Sequence, residues 1–294
     1  MLATQTWCRF PIRQLEEDYE EDYEAKEPSS NHFLTCPERS KQPQFCPPQR
    51  YDYMLVLGSL EMTLQLQPID FEVDFPTLTR CLFESYESPS QKFFHLWFPI
   101  HGTSNNARED AINEAATRLK LWHTHDPSSH WQEVVDTENG RIAGGALWKI
   151  YNENPFENPP PSTVTWFPNG SSRKYVEQAL QTHSRPRYKV AQKPHIYLHI
   201  VFTHPDYRRK GVGQQFMNWG MKKADDLGYE FLLDATPYGR PLYDVNGFVY
   251  VEENINHPQT DTPDEEWKEI DERVGPFTFW LMRRLPRGRN EVEI

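Results

Sequence analysis

The chain has 294 residues, enough to bury a substantial core in one large domain or two small ones. With 43 acidic against 31 basic side chains its formal net charge is −12, which argues against a nucleic-acid binder reliant on a basic face and fits a solvated acidic surface. No run reaches the roughly eighteen uninterrupted apolar residues that a membrane span needs, so no membrane partner is expected.

The opening "MLATQTWCRFPIRQLEEDYEEDYE" lacks a continuous apolar segment and fits neither a secretory leader nor an ordinary transit peptide. Residues 1–52 read as a disordered tail, because "LEEDYEEDYE" is a block of like charge and "CPERSKQPQFCPPQR" is too proline-rich to pack. Cys8, Cys36, Cys46 and Cys81 show no CxxC or Cys/His spacing. No metal site is expected, and reduced thiols in a cytoplasmic protein are the default.

A single domain with ordered patterning is expected over 53–288. "MTLQLQ" alternates Met62, Leu64 and Leu66 with polar residues, the signature of a half-buried strand. "DFPTLTRCLFESY" spaces Phe75, Leu78, Leu82 and Phe83 for a helix that starts beyond Asp74, with Pro76 in its first turn. "AREDAINEAATRLKLWH" is a second helix. "HWQEVVDT" and "RIAGGALWKIY" form a hairpin across Asn139-Gly140. Residues 152–192 read as a long insertion, a proline- and asparagine-rich loop with a short helix over about Arg173 to Gln181. A strand "HIYLHIVFT", a helix from Val212 to Leu227, a strand "YEFLLDA", a short helix over Arg240 to Val245 and a strand "FVYVEE" follow. A second insertion, 256–275, is acidic and loop-like, and "PFTFWLMRR" is the last strand. The fold class is therefore α/β with a mixed sheet, hairpins in its first half and strand-helix-strand crossovers in its second.

The chemistry concentrates in "PDYRRKGVGQQF", residues 205–216. A strand ends, the chain turns, and a helix starts near Gly211. The first N–H groups of a helix have no intrahelical acceptor, and with the helix dipole they attract an anion. Gly211 and Gly213 allow close approach to the backbone, and Arg208, Arg209 and Lys210 add mobile positive charge. A pyrophosphate suits this arrangement. The GxxxxGK[ST] and GxGxxG patterns are both absent, since Phe216 stands where a third glycine would be. A solvated basic turn remains the bland alternative.

Arg208-x-x-Gly211-x-Gly213 resembles the [QR]-x-x-G-x-[GA] motif of the GNAT superfamily of acyl-CoA N-acyltransferases. His204 to Tyr207 resembles its lead-in, and "PLYDVNGF", Pro241 to Phe248, resembles its later tyrosine-bearing element. The resemblance is strongest over 195–250 and implies a GNAT-like mixed sheet flanked by helices. It implies acetyl-CoA as cosubstrate, its pyrophosphate held by the backbone of Arg208, Arg209, Lys210, Gly211, Val212 and Gly213, and its pantetheine arm along Phe202 and Thr203. It also implies direct attack of a primary amine on the thioester in a ternary complex. His199 is the candidate base and Tyr243 the candidate acid for the departing thiolate. A pair of histidines two apart is similar to that of arylalkylamine N-acetyltransferases, with Tyr197 at its first place and His199 at its second. His195, Tyr197 and His199 share a face of an alternating strand, so they equally read as a polar sheet face or a water-linked relay. Tyr243 equally reads as a core aromatic. A small-molecule amine is the favoured acceptor. A protein N-terminus or lysine, and a non-catalytic acyl-CoA-binding module, are the alternatives. Trp148, Trp166 and Phe167 read as either pocket or core, and acidic residues of the two insertions as attracting a cationic amine or merely solvated.

Overall fold

The computed structural model describes residues 63–157 and 164–288; the tail read over 1–52 lies outside them, as do Cys8, Cys36 and Cys46. The first half contains β1 (Leu64–Pro68), α1 (Phe75–Glu87), a one-turn α2 (Phe94–Trp97), α3 (Ala107–His125), β2 (Ser129–Asp136) and β3 (Arg141–Tyr151). The second half contains α4 (Ser171–Val190), β4 (His195–Thr203), α5 (Val212–Leu227), β5 (Glu230–Ala235), α6 (Arg240–Val245), β6 (Val249–Asn256), α7 (Glu265–Val274) and β7 (Phe277–Arg284).

The strands make one seven-stranded mixed sheet in the order β1-β2-β3-β4-β5-β7-β6. All neighbours run antiparallel except β4 and β5, which are joined by the crossover helix α5. On one face, Ile196, Leu198, Phe231 and Leu233 pack on Val212, Phe216 and Met217 of α5. Fully burying side chains such as Phe216 and Met217 stabilises by roughly 1.5–3 kcal/mol each. On the other face, Leu147 and Phe202 pack on Leu78 and Leu82 of α1 and on Leu119 of α3.

Two features of the sheet create the site. The parallel pairing of β4 with β5 runs only from His195↔Glu230 to Leu198↔Leu233, so the two strands part beyond it. On the other edge of β4, Leu198 pairs with Trp148 but Ile200 pairs with Leu147, which leaves His199 as an extra residue in a β-bulge. The segment from His199 to Thr203 therefore has one paired edge and one edge facing a cleft.

The 152–192 segment is less loop-like than its composition predicts. Helix α4 spans 20 residues and continues through Pro186, which has no N–H to give to Thr182. Asn254 of β6 fills that place: its Nδ2 donates to the carbonyls of Thr182 and His183, each at 3.0 Å. Asn256 Nδ2 donates to the Ala179 carbonyl at 2.7 Å. The 256–275 segment, predicted as loop, contains α7, whose Trp267, Ile270 and Val274 bury on Tyr175, Val176 and Ala179 of α4. Glu266 closes the start of α4 by accepting from the N–H groups of Ser171 and Ser172 at 3.0 and 3.1 Å. Two further acidic residues of this insertion also engage α4: Asp264 accepts from Ser171 Oγ, and Asp271 from Tyr175 Oη.

Candidate active site

The turn after β4 is built from backbone conformation. Arg209 has φ +62° and Gly211 φ +88°, both left-handed, and α5 starts immediately after. Alternating hands make successive N–H groups converge, a concavity suited to an anion. The first turn of α5 closes with the bond from Gln215 N to Gly211 O at 3.1 Å, so the N–H groups of Val212, Gly213 and Gln214 precede it. A Cβ at Gly213 would come within 2.9 Å of Leu242 Cδ2, so that residue also lets α6 close over the turn.

The cations behave differently from one another. Arg208 donates from Nη2 to the Ser85 carbonyl at 2.8 Å, tying the turn to α1 rather than remaining mobile. Lys210 stands with its ammonium 5.1 Å from the Tyr207 ring centroid and does not line the cavity described next.

A cavity of about 600 Å3 occupies the parted strands. Its lining includes Phe202, Thr203, Arg208, Arg209, Gly211, Val212 and Gly213, so the structure brings these predicted donor residues together with His199 and Tyr243. Behind them, β3 approaches β4 through two glycines. A Cβ at Gly144 would lie 2.4 Å from the Phe202 carbonyl oxygen, and one at Gly145 would lie 2.6 Å from the Phe202 ring. This close contact was not read from the sequence, although "AGGA" in a strand carries the signal.

Tyr243 is buried, and desolvation, with Tyr86 nearby, pushes its hydroxyl well above the usual tyrosine range. It stays protonated at neutral pH. Tyr86, on α1, donates to the Val201 carbonyl at 3.2 Å and lines the same cavity. His199 sits half-buried in the bulge with its ring 5.5 Å from that of Tyr197. Desolvation, followed by the charges of Lys149, Arg187 and His183, holds it well below the usual histidine range, so the imidazole is neutral at pH 7. A neutral imidazole can accept a proton.

His195 does not join this group. It packs on Tyr151 and shares its Nδ1 with the Lys193 carbonyl at 2.8 Å, outside the cavity lining. Tyr197 lines the cavity but gives its hydroxyl to Asp234 Oδ2 at 2.7 Å. Trp148, Trp166 and Phe167 pack in hydrophobic clusters and line no part of the cavity. The cavity instead ends among Phe93, Trp97, His183, Asp234 and Phe279, none of which was singled out from the sequence. No local pattern marks them, because they meet only in three dimensions.

The Acetyltransferase (GNAT) family model matches residues 91–248, and the chain belongs to that family of acetyltransferases. Members use acetyl-CoA. Among solved structures, arylalkylamine N-acetyltransferase 2 from Aedes aegypti is 16% identical, with 76% of this chain and 98% of that one covered at a TM-score of 0.49. A histone acetyltransferase HPA2 and related acetyltransferase from Corynebacterium glutamicum is 19% identical, with 78% and 99% covered at 0.46. The PaiA N-acetyltransferase of Thermoplasma acidophilum, solved with coenzyme A, is 15% identical, with 76% and 98% covered at 0.38. No curated protein matches the chain. Among the described residues no helix is long and apolar enough to cross a membrane.

Proposed function

We propose that this protein transfers the acetyl group of acetyl-CoA to the primary amine of a small molecule, by direct attack within a ternary complex. The observation that carries the proposal is a cavity between β4 and β5 that has a helix N-terminus at one end and His199 and Tyr243 on its walls. The residues present fit the donor. The turn at Arg209 and Gly211 offers converging N–H groups for a pyrophosphate, and the open edge of Phe202 and Thr203 offers backbone groups for an amide-bearing arm. Acetyl-CoA supplies an acetyl group activated as a thioester.

The side chains then have two tasks. An alkylamine with a pKa of about 10.4 is mostly protonated in neutral water. The ammonium first gives one proton to solvent, which frees its lone pair; neutral His199 then takes a second proton from the attacking nitrogen, directly or through water, as the C–N bond forms. Tyr243, kept protonated by the burial that raises its pKa, gives its hydroxyl proton to the sulfur as the C–S bond breaks and is reprotonated through solvent. Helix α4 contributes His183 to the acceptor end, which supports a small amine over an extended peptide.

The test combines acetyl-CoA titration with thiol release over an amine panel. We expect acetyl-CoA to bind, Gly211→Asp to abolish binding, and Tyr243→Phe and His199→Ala each to lower kcat by about 10²-fold or more while binding persists. A well-folded wild-type protein that does not bind acetyl-CoA overturns the reading.

A further inference from the structure

The cavity runs past the bulge of β4 into a polar cluster that the donor does not need. Asp234 reaches it from β5, with a side chain only 3% exposed. Its Oδ2 accepts from the Tyr197 hydroxyl at 2.7 Å and faces Arg187 Nε at 3.2 Å and His183 Nε2 at 3.5 Å. Its Oδ1 is buried without a hydrogen-bond partner, and so is His183 Nδ1. Asp234 and His183 both line the cavity. Leaving a buried charged acceptor unmatched is costly, so this oxygen calls for an N–H donor from within the cavity.

The surroundings define what carries that donor. Phe93, Trp97 and Phe279 form an aromatic wall, with Phe93 6.0 Å from Trp97 and 4.9 Å from Phe279 between centroids. His183 is wedged in it, 5.4 Å from Trp97 and 4.6 Å from Phe279. Burial pushes this histidine down to about 4, so it is neutral at pH 7 and adds no competing charge. Arg187 is paired with Asp234 at 3.2 Å, and Lys149 with Asp126 at 2.5 Å. The wall holds no carboxylate that could match a second ammonium. Cation–π attraction to the rings offsets only part of the hydration such a charge would lose.

We propose that Asp234 is the acceptor-binding carboxylate: its Oδ1 takes an N–H of the incoming amine, and Phe93, Trp97 and Phe279 take a compact apolar body, so the acceptor is a monoamine with one positive charge. The inference rests on the acyltransferase reading above. Arg187 and Tyr197 fix the carboxylate from its other oxygen, and α4, the helix contributed by the insertion, brings His183 and Arg187 to it.

The experiment uses the full chain with coenzyme A bound. Titration compares 2-phenylethylamine with its uncharged analogue 2-phenylethanol, and thiol release compares 2-phenylethylamine with putrescine. We expect the amine to bind at least about 10-fold more tightly than the alcohol and to be acetylated with a lower KM than the diamine. We expect Asp234→Asn to raise the amine KM about 10- to 100-fold while the acetyl-CoA dissociation constant stays within about two-fold. Equal binding of amine and alcohol, or a preference for putrescine, overturns the proposal and needs no variant. A folded Asp234→Asn protein with an unchanged amine KM overturns it too. Failure of the wild type to bind acetyl-CoA is a distinct result, because it removes the acyltransferase reading itself.

Discussion

Arg209 carries a conflict between fold and ligand. Its φ of +62° places a Cβ-bearing residue where the side chain crowds the backbone, at a cost of about 1 kcal/mol or more. Glycine would relieve that crowding and remove a cation from the cavity wall. Arg209→Gly should therefore hold or slightly raise the urea midpoint while weakening acetyl-CoA binding several-fold at low salt, the gap narrowing as salt is added. A destabilised variant with unchanged affinity would show that the arginine serves the fold alone. The sequence names Arg209 among three consecutive cations, but it fills an x place of R-x-x-G-x-G, and that spacing does not predict its left-handed backbone. Asp234 and His183 are not marked in the sequence at all. Each is an ordinary residue in its own segment, and only the packing of α4 against the sheet makes them neighbours.

Among the elements, β3, β4, α5 and α6 keep their predicted limits, since a clean alternation or a four-residue stripe bounded by glycine or an Asn-Gly pair leaves little freedom. The sequence predicts a helix only over about Arg173 to Gln181, whereas α4 continues to Val190 through Pro186, a residue that ordinarily ends a helix. Asn254, about 70 residues away in sequence, supplies the donor that proline lacks. α7 was legible in principle, because Asp264 as a cap and Trp267, Ile270 and Val274 at helical spacing stand in "DEEWKEIDERV"; the acidity of the run hid them. The repair at Pro186 carries a prediction. Asn254→Ala leaves the Thr182 and His183 carbonyls without their side-chain donor and should cost about 1–3 kcal/mol of stability. It should also raise the amine KM more than the acetyl-CoA KM, because His183 sits on the affected turn. Denaturant melts and steady-state kinetics of this variant check both; equal effects on the two KM values would count against a role in acceptor positioning.

For the whole molecule, buried histidines set the response to acid. Burial pushes His183 and His195 from 6.5 down to about 4. Their folded pKa values lie below the unfolded ones, so the unfolded chain binds protons first as pH falls. The stability they contribute is complete above about pH 6.5 and is withdrawn between there and about 4, by up to roughly 3 kcal/mol each. Urea midpoints at pH 7.5, 6.0 and 5.0 should fall in that order, and His195→Asn should flatten the slope; a midpoint constant over this range would refute the assignment. At the same scale, the parting of β4 from β5 has a consequence for traffic. Residues from both faces of the sheet line one void, the α5 turn on one side and the α2 and α4 side chains on the other. The sheet thus resembles a bulkhead with a porthole, and under the proposed reaction the donor and the amine would meet through it from opposite faces.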